Sequence, residues 1–356
     1  MSKNQEVGFN ERLYSISPEQ EFWGHCSNLQ VWVENEYDTQ FLNSPLAFSL
    51  LKELTDLGVP GTKRVLKEEI SKKLQGKTPS VINYLIERNY LKYFTTEEIK
   101  SLTNQWVEYK GKIIPIFNLT LNLKRRNITN LLEIKGLFEH ASLKELDLSG
   151  NNISNIRENI GVFTSLEKLN LSFNKLTKLP ESIGYLSSLE KLDLQRNKLT
   201  ALPKSIGNLK SLKDLNLFGN PLTSLPESIG NLIFLREVCF WENKLTTLPD
   251  SIGNHISLKY LDLRNNQITS LPDSIGNLTS LEELRLDFNR QLSLTEGIGN
   301  LTSLKEIHLE GTQITSLPES IGNLTSVEKI RLGYNKLKTL PDSIGNLQSL
   351  KMLDLR

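Results

Sequence analysis

One pattern returns every 23 residues from Leu143 to the end of the chain, and a fixed period of this length calls for a fold of stacked, near-identical units. Each unit opens with LxxLxL, as in Leu189, Leu192 and Leu194. Side chains alternate between the faces of a strand, so this segment turns its leucines inward and the residues between them outward. Eight places after the anchor stands Asn151, Asn174, Asn197, Asn220, Asn243, Asn266, Asn289 or Asn335, with Thr312 as the exception. A buried amide there offers both donor and acceptor to turn backbone that the strand ladder leaves open.

The second half of the unit returns the chain along the opposite side. Pro180, Pro203, Pro226, Pro249, Pro272, Pro318 and Pro341 fix a turn, and the SIG and NL segments after it bury Ile and Leu. This half is too short for a long helix and reads as a helical turn, a 3₁₀ piece or irregular backbone. One unit cannot bury its own leucines, so neighbours must stack, with strands about 4.8 Å apart in a parallel sheet. The pattern predicts a curved α/β solenoid with the sheet on its concave face.

The unit LEKLNLSFNKLTKLPESIGYLSS, which starts at Leu166, resembles the leucine-rich repeat. The resemblance covers about the last two thirds of the chain and is similar to the intracellular LPxSIGNL type of plant Ras-group-related and prokaryotic leucine-rich repeat proteins. It implies a protein partner, with small GTPases and kinases as classes, although no residue encodes that choice. Extracellular members usually carry cysteine-rich caps, and no such cap can be built from Cys26 and Cys239. Two departures stand out. Thr312 breaks the asparagine column, and Thr295 replaces the proline within LSLTEGIGNL; a local irregularity is expected there, not a break.

Residues 1–105 lack the period and read as a small helical N-terminal region or cap. A first helix follows Ser44-Pro45 and carries Leu46, Leu50, Leu51, Leu54 and Leu57 at helical spacing before Gly58. A second runs from Thr62 to Leu74, a third starts at Thr78-Pro79, and Thr95 with Glu98 forms a capping box for a fourth. Residues 106–142 read as a hairpin around Lys110-Gly111 and a degenerate first repeat with Leu119, Leu121 and Leu123, 25 residues before the next. Ile128 and Leu131 take the roles of Leu176 and Leu179 there. Residues 143–356 are the repeats. The sequence stops inside the tenth regular strand at Leu353–Arg356 with no capping element, so the chain is expected to be a fragment, or its last strand to meet a further domain or another copy.

Composition narrows the chemistry. Lys+Arg 42 against Asp+Glu 41 leaves a formal charge of +1, without the basic excess of a nucleic-acid binder. No apolar run of about 18 residues and no apolar signal core occur, so no membrane is expected and the chain reads as cytoplasmic. Two cysteines and four histidines give a metal site little material. LQGKTPS, around Gly76, Lys77 and Thr78, resembles the tail of a phosphate loop, but Ser71 stands where its first glycine belongs. His25-Cys26 reads as local packing, and the Asn-Leu-Thr triplets at Asn277, Asn300 and Asn323 follow from the repeat consensus. No catalytic constellation, cofactor or metal is predicted.

What remains is the outward face. Counting the anchor as one, the fifth column reads Asp147, Asn170, Asp193, Asn216, Cys239, Asp262, Arg285, His308, Arg331 and Asp354. The seventh reads Ser149, Ser172, Gln195, Phe218, Trp241, Arg264, Asp287, Glu310, Gly333 and Arg356. Phe218 and Trp241 on adjacent strands, with Tyr260 and Arg264 beside them, are apolar where the pattern is polar and are the leading partner-binding candidates. Arg285, His308 and Arg331 form a basic strip among Glu283, Asp287, Glu306 and Glu310, which largely compensate it. Phe173, Phe288 and Tyr334 precede the asparagine position and are expected to be partly buried against the turn. The function read from these residues is a non-catalytic module binding a protein on its concave face, a recognition or scaffolding part of an intracellular signalling protein. The alternative is the substrate-recognition or regulatory part of an enzyme whose catalytic domain lies beyond Arg356.

Overall fold

The computed structural model describes residues 45–76 and 78–356. His25, Cys26, Ser44 and Lys77 lie outside the described residues. The chain divides into two compact units, Met1–Glu98 and Ile99–Arg356.

In the first unit, helices α1 (Pro45–Asp56), α2 (Thr62–Gln75) and α3 (Pro79–Glu87) follow one another. Leu51, Val65, Leu66, Ile70, Leu74, Ile82 and Leu85 are buried, the helical spacing having put them on inner faces. Leu57 is the exception to the expected stripe: it falls in the turn past α1 and is 78 % exposed. A 3₁₀ turn, Tyr90–Tyr93, brings Lys92 Nζ and the Tyr93 hydroxyl onto Asp56 Oδ1 at 2.8 and 2.7 Å. Lys92 first, then Tyr93, holds the Asp56 carboxyl down to about 2. The short helix α4 (Thr96–Leu102) starts on the capping box: Glu98 N donates to Thr95 Oγ1 at 3.2 Å, and Thr95 N donates to Glu98 Oε2 at 2.7 Å.

The second unit opens with an antiparallel hairpin, β1 (Trp106–Tyr109) and β2 (Lys112–Pro115). Lys110 (φ 50) and Gly111 (φ 71) both take the left-handed conformation that a tight two-residue hairpin turn requires. Eleven parallel strands then stack in chain order: β3 (Thr120–Asn122), β4 (Glu145–Asp147), β5 (Lys168–Asn170), β6 (Lys191–Asp193), β7 (Asp214–Asn216), β8 (Glu237–Cys239), β9 (Tyr260–Asp262), β10 (Glu283–Arg285), β11 (Glu306–His308), β12 (Lys329–Arg331) and β13 (Met352–Asp354). The central leucines stay in register, Leu121 opposite Leu146, then Leu169, Leu192 and onward. Leu119 does not join β3. With Asn118 it occupies a left-handed turn (φ 59) that sends the chain from Phe117 back to Thr120.

From Glu158 onward each return path is a five-residue 3₁₀ turn, entered from a proline except at Arg157 and Thr295, as in Lys204–Asn208 after Pro203. The glycine of SIG is there because the units stack too closely for a side chain: a Cβ on Gly207 would stand 2.2 Å from Ser228 O of the next unit. The buried leucines, isoleucines and phenylalanines run as one core from the hairpin residues Val107 and Ile114 to Leu347. In the last unit, by contrast, Met352 and Leu355 are exposed.

The asparagines clamp each unit to the one before it. Asn243 is typical: its Nδ2 donates to Phe240 O (2.9 Å) in its own unit and to Leu217 O (3.0 Å) in the preceding one. Its Oδ1 accepts from Leu222 N at 3.2 Å, also in the preceding unit. The two sequence departures turn out to be the two sides of one junction. In the unit from Leu281, where Thr295 takes the proline's place, the buried apolar residue after the asparagine shifts by one place, from the position of Gln291 to Leu292, and Asn289 N turns back to Leu286 O at 3.3 Å. The carbonyl at the next clamp position, Leu286 O, thereby accepts from both Asn289 N and Asn289 Nδ2. Thr312, which stands at that clamp, bonds Leu309 O in its own unit and Asn335 Oδ1 in the following one, both at 2.9 Å. The sheet continues through the junction.

Candidate functional site

The outward face of β3–β13 carries the residues that vary from unit to unit, because the inward ones are committed to the core. At its centre, Phe218 and Trp241 stack with ring centroids 4.5 Å apart and planes 22° from parallel. An arginine closes each end. The Arg196 guanidinium lies 4.3 Å from the Phe218 ring centroid, and that of Arg264 lies 4.3 Å from Trp241. The order Arg196, Phe218, Trp241, Arg264 is thus one continuous cation–aromatic stack.

Each arginine is itself held. Arg264 donates from Nε and Nη2 to the buried Asp262 carboxylate, at 2.9 and 2.6 Å, and this pairing keeps its guanidinium above the ordinary value. The Tyr260 hydroxyl donates to Asp262 Oδ2 at 3.2 Å, so one carboxylate orients two neighbours. Arg196 pairs with Glu242 at 3.0 Å. It can lie flat because Gly219 follows in the next unit. Phe218 and Trp241 are half-buried, each ring lying between two neighbours of the stack.

The basic strip is neutralised within the sheet. Arg285 Nε meets Glu283 at 2.5 Å, the His308 ring lies 3.4 Å from Glu306, and Lys329 reaches Glu306 at 2.6 Å. Arg331 sits 3.9 Å from Glu310. His308 is 8 % exposed. Ligand atoms of Glu283, Glu306 and His308 lie within 4.8 Å of one another, but Arg285 and Lys329 already occupy both carboxylates.

Phe173, Phe288 and Tyr334 depart from expectation: they are 55 %, 47 % and 80 % exposed. Their position is left-handed in unit after unit (φ 54, 61 and 57), and that backbone throws the side chain outward instead of under the turn. Sequence reasoning also passed over Ile233, Phe234 and Ile256, which are exposed on the loops entering β8 and β9. Most other units carry Thr-Ser, Ser-Ser or Lys-Ser there, so the signal was a break in that pair.

Models of known families match this second unit from residue 141 to its end: a leucine-rich repeat region over residues 223–310, a leucine rich repeat over 164–222 and 302–356, and a two-copy leucine rich repeat over 141–184. Comparison with curated proteins finds no match. Among solved structures, the leucine-rich repeat domain of the type III effector XopL is 28 % identical with a TM-score of 0.56, covering 61 % of this chain and 79 % of that one. The leucine-rich repeat ectodomain of the plant membrane receptor kinase GASSHO1/SCHENGEN3 from Arabidopsis thaliana, in complex with Casparian strip integrity factor 2, is 27 % identical with a TM-score of 0.50, covering 66 % of this chain and 32 % of that one. The Drosophila Toll–Spätzle complex shares the fold at 22 % identity and a TM-score of 0.59, also over 66 % of this chain and 32 % of that one. The match spans about a third of those two chains. With the 23-residue unit, the asparagine clamps, the sequential parallel sheet and these matches in agreement, the chain belongs to the leucine-rich repeat family.

Proposed function

We propose that this protein is a non-catalytic interaction module that captures a protein partner on the outward face of its parallel sheet, as a recognition or scaffolding part of an intracellular signalling protein. Leucine-rich repeat domains are in general protein-interaction modules, and the GASSHO1/SCHENGEN3 ectodomain was solved in complex with Casparian strip integrity factor 2. The observation that carries the reading is the Arg196–Phe218–Trp241–Arg264 stack. It places two aromatic and two arginine side chains, the residue types that dominate interface energetics, in a rigid array on a face of otherwise polar columns. Because Asp262 and Glu242 fix both arginines, little side-chain entropy is left to lose on binding.

The test is a partner identified by crosslinking to the purified chain and then titrated calorimetrically. Trp241→Ala with Phe218→Ala should weaken binding at least about 30-fold, equivalent to roughly 2 kcal/mol, with the unfolding midpoint nearly unchanged. Unaltered affinity together with a stability loss of about 0.2–1 kcal/mol would make the pair a cross-strand support and nothing more.

A further inference from the structure

Next to the stack, on the same strands, the outward face opens into a groove of about 280 Å³ across β6, β7, β8 and the start of β9. Asn216 and Cys239, small residues in the fifth column, leave strand backbone as its floor. Its walls are Lys191, Asp193, Asp214, Glu237 and Tyr260. The volume falls below the roughly 300–1,000 Å³ of small-molecule sites, and suits a single long side chain.

The charge of the groove is unbalanced. Lys191 pairs with Asp214. Lys191 also feels Glu237, so one cation serves two carboxylates, and among the described residues Asp193 has only Gln195 as a hydrogen-bond partner. The Asp193 carboxylate is drawn into the sheet, where it accepts from the Gln195 backbone N–H and from Gln195 Nε2, both at 3.0 Å. Burial pushes its pKa up, the mark of a carboxylate that lacks a counter-charge. A buried charge held only by neutral donors is costly, and a cation entering the groove removes that cost. Tyr260, its hydroxyl tied to Asp262, presents a fixed aromatic wall, a surface that cations favour.

We propose that this groove anchors one arginine or lysine side chain of the partner protein, from the segment that lies over the Phe218–Trp241 stack; this rests on the outward-face reading above. Cys239 in the floor serves as the reporter. In the full chain carrying Cys26→Ser, the rate of Cys239 alkylation by N-ethylmaleimide is measured with the peptide acetyl-Gly-Arg-Gly-Arg-Gly-amide, and with the same peptide carrying Gln for Arg. At near-physiological salt, the arginine peptide should slow alkylation at least fivefold and saturably, and the glutamine peptide should not. In Asp193→Asn with Glu237→Gln, the rate without peptide should rise, because Asp193 helps to hold the Cys239 thiol up, and the fold-protection by the arginine peptide, taken relative to that new rate, should be lost. Absence of saturable protection by the arginine peptide overturns the proposal, as does protection that persists undiminished in the double variant. This measurement needs no partner, so its failure is separate from a failure of the outward-face reading, which shows as partner affinity indifferent to Trp241 and Phe218.

Discussion

Gly219 makes room for Arg196: a Cβ on that glycine would stand 2.9 Å from Arg196 Cδ, and the glycine itself sits at φ +67. The stack therefore depends on a residue outside it. Gly219→Ala should cost about 1 kcal/mol for the left-handed backbone and should dislodge Arg196 from the Phe218 ring. Chemical unfolding followed by circular dichroism reads the first, and Trp241 fluorescence, with Trp23, Trp32 and Trp106 replaced by Phe, reads the second. If Arg196 is the obstacle, Arg196→Ala combined with Gly219→Ala recovers part of the loss.

The SIG glycines supply a matched pair. Gly207→Ala drives a methyl to 2.2 Å from Ser228 O, whereas nothing lies within 4 Å of a Cβ on Gly345. The first substitution should destabilise by about 1–3 kcal/mol, in the range of overpacking. The second should be neutral within about 0.5 kcal/mol. Equal effects in urea unfolding would refute the close-stacking account of this column.

Removing a clamp should be worse than removing an ordinary hydrogen bond. Asn243→Ala leaves Leu222 N without its acceptor and takes one of two amide donors from Leu217 O and from Phe240 O, which keep Asn220 and Asn266, and a loss of about 1–3 kcal/mol is expected. Thr312→Asn, which restores the consensus, should give no gain, because Asn289 N already turns back to Leu286 O. Thermal unfolding of the two variants side by side tests the contrast.

Glu282 bridges Lys259 and Lys305 across three strands, at 3.0 and 2.6 Å. Lys305 and Lys259 hold its carboxyl down to about 2, from an ordinary 4.5. A carboxylate with a depressed folded-state pKa contributes its stability above the unfolded value and loses it as pH falls through the folded one. The stability difference between the parent chain and Glu282→Gln should therefore be present at neutral pH, shrink from about pH 4.5 downward, and vanish near pH 2. Salt should shrink it as well. A pH series of denaturant midpoints gives the answer.

Much of this could be read from the residues alone, for identifiable reasons. The anchors, the SIG glycines and the asparagines repeat because each meets the same neighbour one unit away, so contacts in space become a period in sequence. The hairpin at Lys110-Gly111 and the Thr95–Glu98 capping box were legible because their partners are local. Phe173, Phe288 and Tyr334 were misplaced because the sign of φ at their position leaves no trace in residues that are not glycine. The two arginines of the stack were harder to see: Arg264 was visible in its column, but Arg196 belongs to the next column and reaches Phe218 only across Gly219. Thr295 and Thr312 looked like separate blemishes until Leu286 and Asn289 joined them.

The asparagine clamps all point one way. Each reaches back toward the amino end, to a carbonyl and an N–H of the unit already made. On a ribosome, where the amino-terminal part of a chain emerges first, every newly released turn thus arrives carrying the bolt that fastens it to a finished predecessor. Growth of the array is a ratchet, in which the hairpin provides the first tooth and the N–H left open by each unit is closed by the one translated next.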